Sequence, residues 1–406
     1  MLASAAVLAS LLAAAAVALA AAPADPAVAT APGAVTDADA ALPAGPDASR
    51  APPDASAPAA APPTAPAIVA ATTRPPRSWF LLPVPFWLPE TKAGLAVASG
   101  RDFRLDGSAH ASNAFLVAAY SMEKVGSLEG VADVWFRDGS LLSARLRAVH
   151  YPDTWYGVGS GAPEAGSEDF TRRFVEVSLS GELAAFDGRL RAGPRINART
   201  ETVELVPGGR LATSGLPGVD GFSGLGLGGS VTWDTRDQPL SPRQGAFAQA
   251  YYLRYPAAIG RNDGAFGKGA VDLRYFRPIG GAPVLGVSAV VEAADGATPF
   301  TLLSKLGSPR FLRGYREGRW RDRVCWATQA ELRLPVKGPL SATVFGAAGN
   351  VVHAPKDLAS GDQGPPKLAG GVGARWRLTP AGANLRLDVA MGDMGPQVYM
   401  VLLEAF

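Results

Sequence analysis

From Trp79 onward, apolar and polar side chains alternate in short runs that are broken by Gly, Pro, Asp and Ser. Val271, Leu273 and Tyr275 oppose Asp272 and Arg274, and Leu142, Ala144, Leu146 and Ala148 oppose Ser143, Arg145 and Arg147. Val175, Val177 and Leu179 oppose Glu176, Ser178 and Ser180, while Leu385, Leu387 and Val389 oppose Asn384, Arg386 and Asp388. A period of two marks strands with two unlike faces. Such segments fall at 91–102, 112–121, 128–137, 140–150, 168–181, 184–199, 222–235, 244–255, 267–277, 283–294, 325–336, 340–349, 367–377, 382–391 and 396–406. Bacterial barrels favour even strand numbers. Sixteen strands are therefore expected, with fourteen as the fallback and the missing strand sought before Pro89 or within 200–221.

Two architectures give this alternation: a soluble sandwich or barrel with its apolar face inward, or a membrane barrel with that face on lipid. No apolar run approaches the roughly 20 residues of a membrane helix. The end of the chain, with Val398, Met400, Leu402, Glu404 and the aromatic Phe406 on alternate positions, favours the second. The expected fold class is all-β, a transmembrane antiparallel β-barrel over 77–406.

The first quarter reads differently. Residues 1–20 form an uncharged Ala/Leu/Val run ending in Ala18-Leu19-Ala20, the pattern of a signal peptide, though no Lys or Arg precedes it. Residues 21–76 are an Ala/Pro tract dotted with Asp25, Asp37, Asp39, Asp47 and Asp54. So few large apolar groups cannot offset chain entropy, which makes this stretch a linker. The single cysteine, Cys325, excludes an intrachain disulfide and a thiolate metal cluster. A net charge of +2 argues neither for nor against a polyanionic partner.

Charge is concentrated in one place. Arg310, Arg313, Arg316, Arg319, Arg321 and Arg323 crowd a long loop, and the strand after it sets Gln329, Glu331 and Arg333 against Thr328, Ala330, Leu332 and Leu334. Arginines here suit lumen carboxylates such as Glu292 and Glu331 better than nucleic acid or lipopolysaccharide phosphates. No nucleic-acid partner is expected.

Four features, in order, resemble the BamA/TamA family of outer-membrane barrels, the bacterial surface antigen family. They are Leu82-Pro83-Val84-Pro85 with Pro89-Glu90-Thr91 entering the first strand; Trp233-Asp234-Thr235-Arg236-Asp237 followed by Pro242 and Gly245; Leu312-Arg313-Gly314-Tyr315; and five strands between that loop and Phe406. The resemblance covers about 80–406. It implies a loop folded into the lumen, with Arg313 locked on Glu331, Gly314 turning the backbone and Tyr315 packing beneath. A second acidic position of the family is Ala347 here, which leaves Asp388 as the other candidate. In this resemblance Asp234, Arg236 and Asp237 stabilise a hairpin, and Phe406 is the carboxy-terminal recognition signal.

The resemblance further implies a Gram-negative outer-membrane location and a role in outer-membrane protein assembly or translocation. Clients or lipids would pass by lateral opening between the first strand (91–102) and the last (396–406). Expected partners are outer-membrane lipids and lipopolysaccharide, client outer-membrane proteins, and an accessory bearing the periplasmic POTRA domains that the Ala/Pro tract cannot form. The alternative is a passive pore or a structural surface protein.

Enzymatic chemistry is not expected. Gly224-Leu225-Gly226-Leu227-Gly228-Gly229 fits G-x-G-x-x-G but runs into Ser230-Val231-Thr232-Trp233, a strand pattern where a nucleotide site needs a helix. His110, His150 and His353 have no metal-ligand spacing, and His150 beside Tyr151 reads as part of an interfacial aromatic girdle. No cofactor or metal is implied.

Overall fold

The computed structural model describes residues 79–358, 364–378 and 384–406. The expected signal peptide (1–20) and the whole of the expected linker (21–76) lie outside the described residues.

The strands are β1 (Trp79–Leu88), β2 (Lys92–Phe103), β3 (Ser112–Ser121), β4 (Gly126–Trp135), β5 (Leu141–Trp155), β6 (Glu168–Ala185), β7 (Leu190–Glu204), β8 (Phe222–Asp234), β9 (Gly245–Tyr255), β10 (Gly260–Arg261), β11 (Phe266–Pro278), β12 (Val284–Gly296), β13 (Ser304–Leu306), β14 (Trp320–Asp322), β15 (Val324–Lys337), β16 (Leu340–Val352), β17 (Lys367–Arg377), β18 (Asn384–Gly392) and β19 (Gly395–Leu402). Sixteen of them form a closed antiparallel wall, in which each strand pairs with the next along the chain and β19 returns to β1. The three short ones lie outside this wall: β10 adds to the end of β8, and β13 and β14 make a small hairpin within the connection 297–323.

The alternation decides which way each side chain points. On β18, Val389 is 43% exposed on the outer face while its neighbour Asp388 is fully buried toward the lumen. On β11, Leu273 and Tyr275 lie outside, and inside, the Arg274 guanidinium bonds Asp272 at 2.9 Å. An apolar outer surface around a charged, hydrogen-bonded interior is the arrangement of a membrane barrel. Among the described residues no helix is long and apolar enough to cross a membrane.

Both ends of the wall, Trp79 and Leu402, lie on one rim, the terminal rim. The longer connections project from the opposite, far rim. There Trp155, Phe170, Leu211, Phe300 and Leu303 make one apolar cluster, and Phe222, Leu253, Tyr255, Phe266 and Leu302 a second. At the terminal rim a cavity of about 690 Å³ is lined by Arg145, Arg191, Arg236, Asp133, Glu182 and Asp234 among others.

The missing strand lies before Pro89, one of the two places expected: it is β1, with Pro83 and Pro85 in its middle, prolines that disguise a strand because they cannot donate to a ladder. Two expectations need correction. The segment 91–102 is the second strand, and Pro89-Glu90-Thr91 forms the β1–β2 turn. The last strand stops at Leu402 instead of running to 406: Leu403 takes a φ of +69°, which turns Glu404 into the lumen, where it bonds Asn384 and Arg375.

Candidate functional site

The connection 297–323 folds into the lumen and crosses it. Leu306, Leu312, Tyr315 and Trp320 pack on Cys325, Ala327 and Val351 of β15 and β16, so apolar burial draws the loop onto the wall. On the other side Arg321 donates to Thr154 O at 3.1 Å and Arg319 to Ala162 O at 2.9 Å.

At the tip, Arg313 is fully buried. Its Nη2 donates to Glu331 Oε2 at 2.8 Å, its Nη1 to Asp388 Oδ2 at 2.7 Å, and the guanidinium lies 3.4 Å from the Phe345 ring centroid. Both acidic candidates are therefore in contact with it, while Ala347 packs against the apolar cluster instead. Arg333 and Arg375 surround the same carboxylates. Arg333 Nε donates to Glu331 Oε1 at 2.9 Å, and Arg375 donates to Asp388 Oδ1 at 2.6 Å and Glu404 Oε2 at 2.9 Å. Arg375 stands directly across from Arg386 in the β17–β18 register, a like-charge pair made tolerable by Asp388 between them. Such fully desolvated charges persist only when paired from several sides.

Gly314 has a φ of +112°, and a Cβ there would sit 3.2 Å from the Ala369 Cβ and the Gly392 nitrogen. No other residue fits this position without displacing the wall. Tyr315 is buried; its hydroxyl donates to Leu368 O at 2.8 Å and accepts the Asp393 N–H at 3.1 Å. The remaining loop arginines pair less closely than expected. Arg310 approaches Asp272 at 3.7 Å and Arg321 approaches Asp153 at 3.9 Å, and Glu292 forms no close ion pair with the loop among the described contacts.

The hairpin residues lie at the terminal rim. Arg236 bonds Asp234 through two nitrogens at 2.9 and 2.8 Å, and Asp237 Oδ1 accepts the N–H groups of Gln238, Arg243 and Gln244. Gly245, at φ +104°, allows Thr235 O to approach. Pro242 O accepts from Arg333 Nη1 at 3.3 Å, which ties this hairpin to the arginine cluster. Phe406 stacks on Phe276 inside the barrel, and its carbonyl accepts from Arg333.

The seam between β1 and β19 is the weak place in the wall. β18 and β19 pair continuously from Leu385↔Leu402 to Gly392↔Gly395, and β1 and β2 from Trp79↔Arg101 to Leu88↔Lys92. Across the seam one pair is formed, Trp87↔Met400.

Of the sequence candidates, the structure brings together Arg313, Gly314, Tyr315 and Glu331, and it reaches the hairpin through Pro242. Arg375, Arg386 and Glu404 were missed as members of the cluster. Their only signal was a charge at every second position of the last strands. The histidines lie apart: His110 stacks on Trp135, His150 Nδ1 accepts from Arg173, and His353 faces Asp322. Gly226 and Gly228 lie in β8, where the Tyr255 ring and Tyr252 O come too close for side chains.

Residues 222–395 match the Omp85 superfamily domain. The structure of BamA from Haemophilus ducreyi lacking POTRA domains 1–3 is similar, with a TM-score of 0.55 at 12% identity, over 80% of this chain and 70% of that one. CdiB from Acinetobacter baumannii follows with a TM-score of 0.50 and 11% identity over 80% of this chain and 59% of that one. CdiB from Escherichia coli gives 0.50 and 12% over 79% and 62%. The chain thus spans less than two thirds of either CdiB. No curated protein matches by sequence. The match to the Omp85 superfamily domain over 222–395 thus falls within a sixteen-stranded barrel whose fold is similar to that of the BamA structure.

Proposed function

We propose that this barrel resides in a Gram-negative outer membrane and assists the assembly or translocation of outer-membrane proteins, with the β1–β19 seam as its lateral opening. The observation that carries the reading is the single Trp87↔Met400 pair in a wall whose other neighbours are joined by long ladders. Opening a wall of this kind costs its weakest ladder, and here that ladder is almost absent. The corrected lips of the opening are Trp79–Leu88 and Gly395–Leu402. Client outer-membrane proteins and a POTRA-bearing accessory are the proposed protein partners. Lipid and lipopolysaccharide would surround the apolar wall, and no catalysis is assigned.

The inner loop weighs against the alternative of a passive pore, because it crosses the lumen while apolar clusters fill the far rim. Depletion of the protein in cells should lower the amounts of other outer-membrane proteins; unchanged amounts would refute the assembly role. A large, steady conductance of the purified barrel in planar bilayers would favour the pore.

A further inference from the structure

The seam has so few pairs because of its residues. β1 pairs with β2 at every position, including Pro83↔Val97 and Pro85↔Leu95. A proline fits such a ladder only with its nitrogen turned away from the partner strand. The nitrogens of Pro83 and Pro85 are therefore turned toward β19, on the same edge as Trp87, which makes the one seam pair. Extending the antiparallel register of that pair sets Pro85 opposite Leu402 and Pro89 opposite Val398. Each flanking position has lost the amide donor that an ordinary ladder would use. Beyond Leu402, β19 has ended and Leu403 has turned inward, so the rest of β1 has no strand opposite.

The inner loop touches both lips. On the β19 side, the Tyr399 hydroxyl accepts the Gly314 N–H at 2.9 Å and donates to Tyr315 O at 3.0 Å, with Tyr399 fully buried. On the β1 side, the Glu317 N–H donates to Glu90 Oε1 in the β1–β2 turn at 2.6 Å. Leu88, the last residue of β1, packs on the cluster of Phe345, Ala390 and Tyr399. Gly314, Tyr315 and Glu317 of one loop, anchored by Arg313, thus hold a residue on either side of the gap.

We propose that the inner loop, rather than the strand ladder, holds the seam closed: it is a clasp whose fixed end grips β19 through Tyr399 and whose releasable end grips the β1–β2 turn through Glu90. The two ends differ in kind. The Tyr399 end has two buried hydrogen bonds beside the arginine cluster. The Glu90 end has one bond at the far rim, so the clasp lets go there and the β1–β2 hairpin swings as the moving lip. This inference takes from the proposed function only the seam as the place of opening.

The test uses the full chain with Trp87→Cys and Met400→Cys in a Cys325→Ser background, folded in membranes and followed by the rate of disulfide formation between the two lips. Glu90→Ala should slow cross-linking by about fivefold, the factor for one lost hydrogen bond, Tyr399→Phe, which loses two, should slow it more, and the combined variant should slow it further. Adding Pro85→Thr and Pro89→Thr to the combined variant should restore the rate, because the ladder then regains its donors. Unchanged cross-linking in the two single variants would overturn the proposal. So would slowing that the threonine changes leave uncorrected, because the loss would then come from disturbed packing. The heat-modifiable band of a folded barrel checks each variant, and the conservative Tyr399→Phe decides the matter if the combined variant does not fold. No client takes part, so failure here leaves the assembly role to its own depletion test.

Discussion

The stretch of wall from β15 to β18 and the seam between β1 and β19 are nearly neighbours, yet they hold together by opposite means. In the first, the ladders are long, with one irregularity between Pro335 and Lys337, and Arg313, Arg333 and Arg375 interleave with Glu331, Asp388 and Glu404 on the inner face. In the second, the ladder is reduced to one pair, prolines remove donors, and the inner loop supplies isolated hydrogen bonds. The same loop serves both regions. Its anchoring is ionic and buried where the wall is rigid, and sparse where the wall can part. A lateral opening needs this contrast, because a loop equally strong at both places would lock the barrel and one equally weak would leave it open.

The largest effect should come from breaking the strong side. Arg313→Ala leaves Glu331 and Asp388 buried without their shared partner and should cost about 3–5 kcal/mol, read as a lower unfolding midpoint and loss of the heat-modifiable band. In a cycle of Arg313→Gln and Glu331→Gln the double variant should be clearly non-additive; additive effects would mean that the two do not act as a pair. Next comes Gly314→Ala, which forces a side chain into φ +112° against Ala369 and Gly392 and should cost about 1–3 kcal/mol. Gly346→Ala on the same side, with open space around it, should change little by the same melting measurement.

Asp237→Ala tests whether the terminal-rim hairpin is part of the strong side. Losing an acceptor for three backbone N–H groups should cost about 1–2 kcal/mol without altering seam cross-linking. Pro85→Thr alone sharpens the comparison from the weak side. One regained donor should tighten the seam by about 1 kcal/mol, seen as slower hydrogen exchange of the Leu402 amide.

The smallest effect is that of pH. Burial pushes the Glu90 carboxyl up from 4.5 to about 7, outweighing the Glu317 N–H bond and Arg316, which lower it, while the Glu317 charge adds to the rise. The docked turn therefore holds a proton that the released turn would give up. Docking is strongest below pH 4.5, weakens as pH rises through 4.5 to 7, and stays weak above. Spin labels at 87 and 400 should report a wider distance distribution at pH 8 than at pH 5, and Glu90→Gln should flatten that dependence.

Much of the barrel was legible in the chain. Alternation over Leu385–Val389 or Val271–Tyr275 requires strands with a wet and a dry face, and the same parity put Glu331 and Arg333 inside. The strand β1 was legible only as one of two places for a missing strand, since its prolines are ordinary signs of a turn and only their orientation toward an unpaired neighbour makes them compatible with a strand. The arginine cluster was half legible. Arg313 and Glu331 stood out by motif, but Arg375 reaches the same carboxylates, and Glu404 reaches Arg375, only through the way the last strands are paired. Periodicity tells which face a side chain takes and says nothing of its height along the barrel.

The sequence by itself determined the strands and the face of most of their residues, because these follow from local alternation, while the barrel class and the loop that turns inward came from the resemblance of its motifs and its end. Only the tertiary structure decided which strand is first, where the wall is barely paired, and that one loop reaches both of its lips. Those depend on register between segments hundreds of residues apart, which no local pattern encodes.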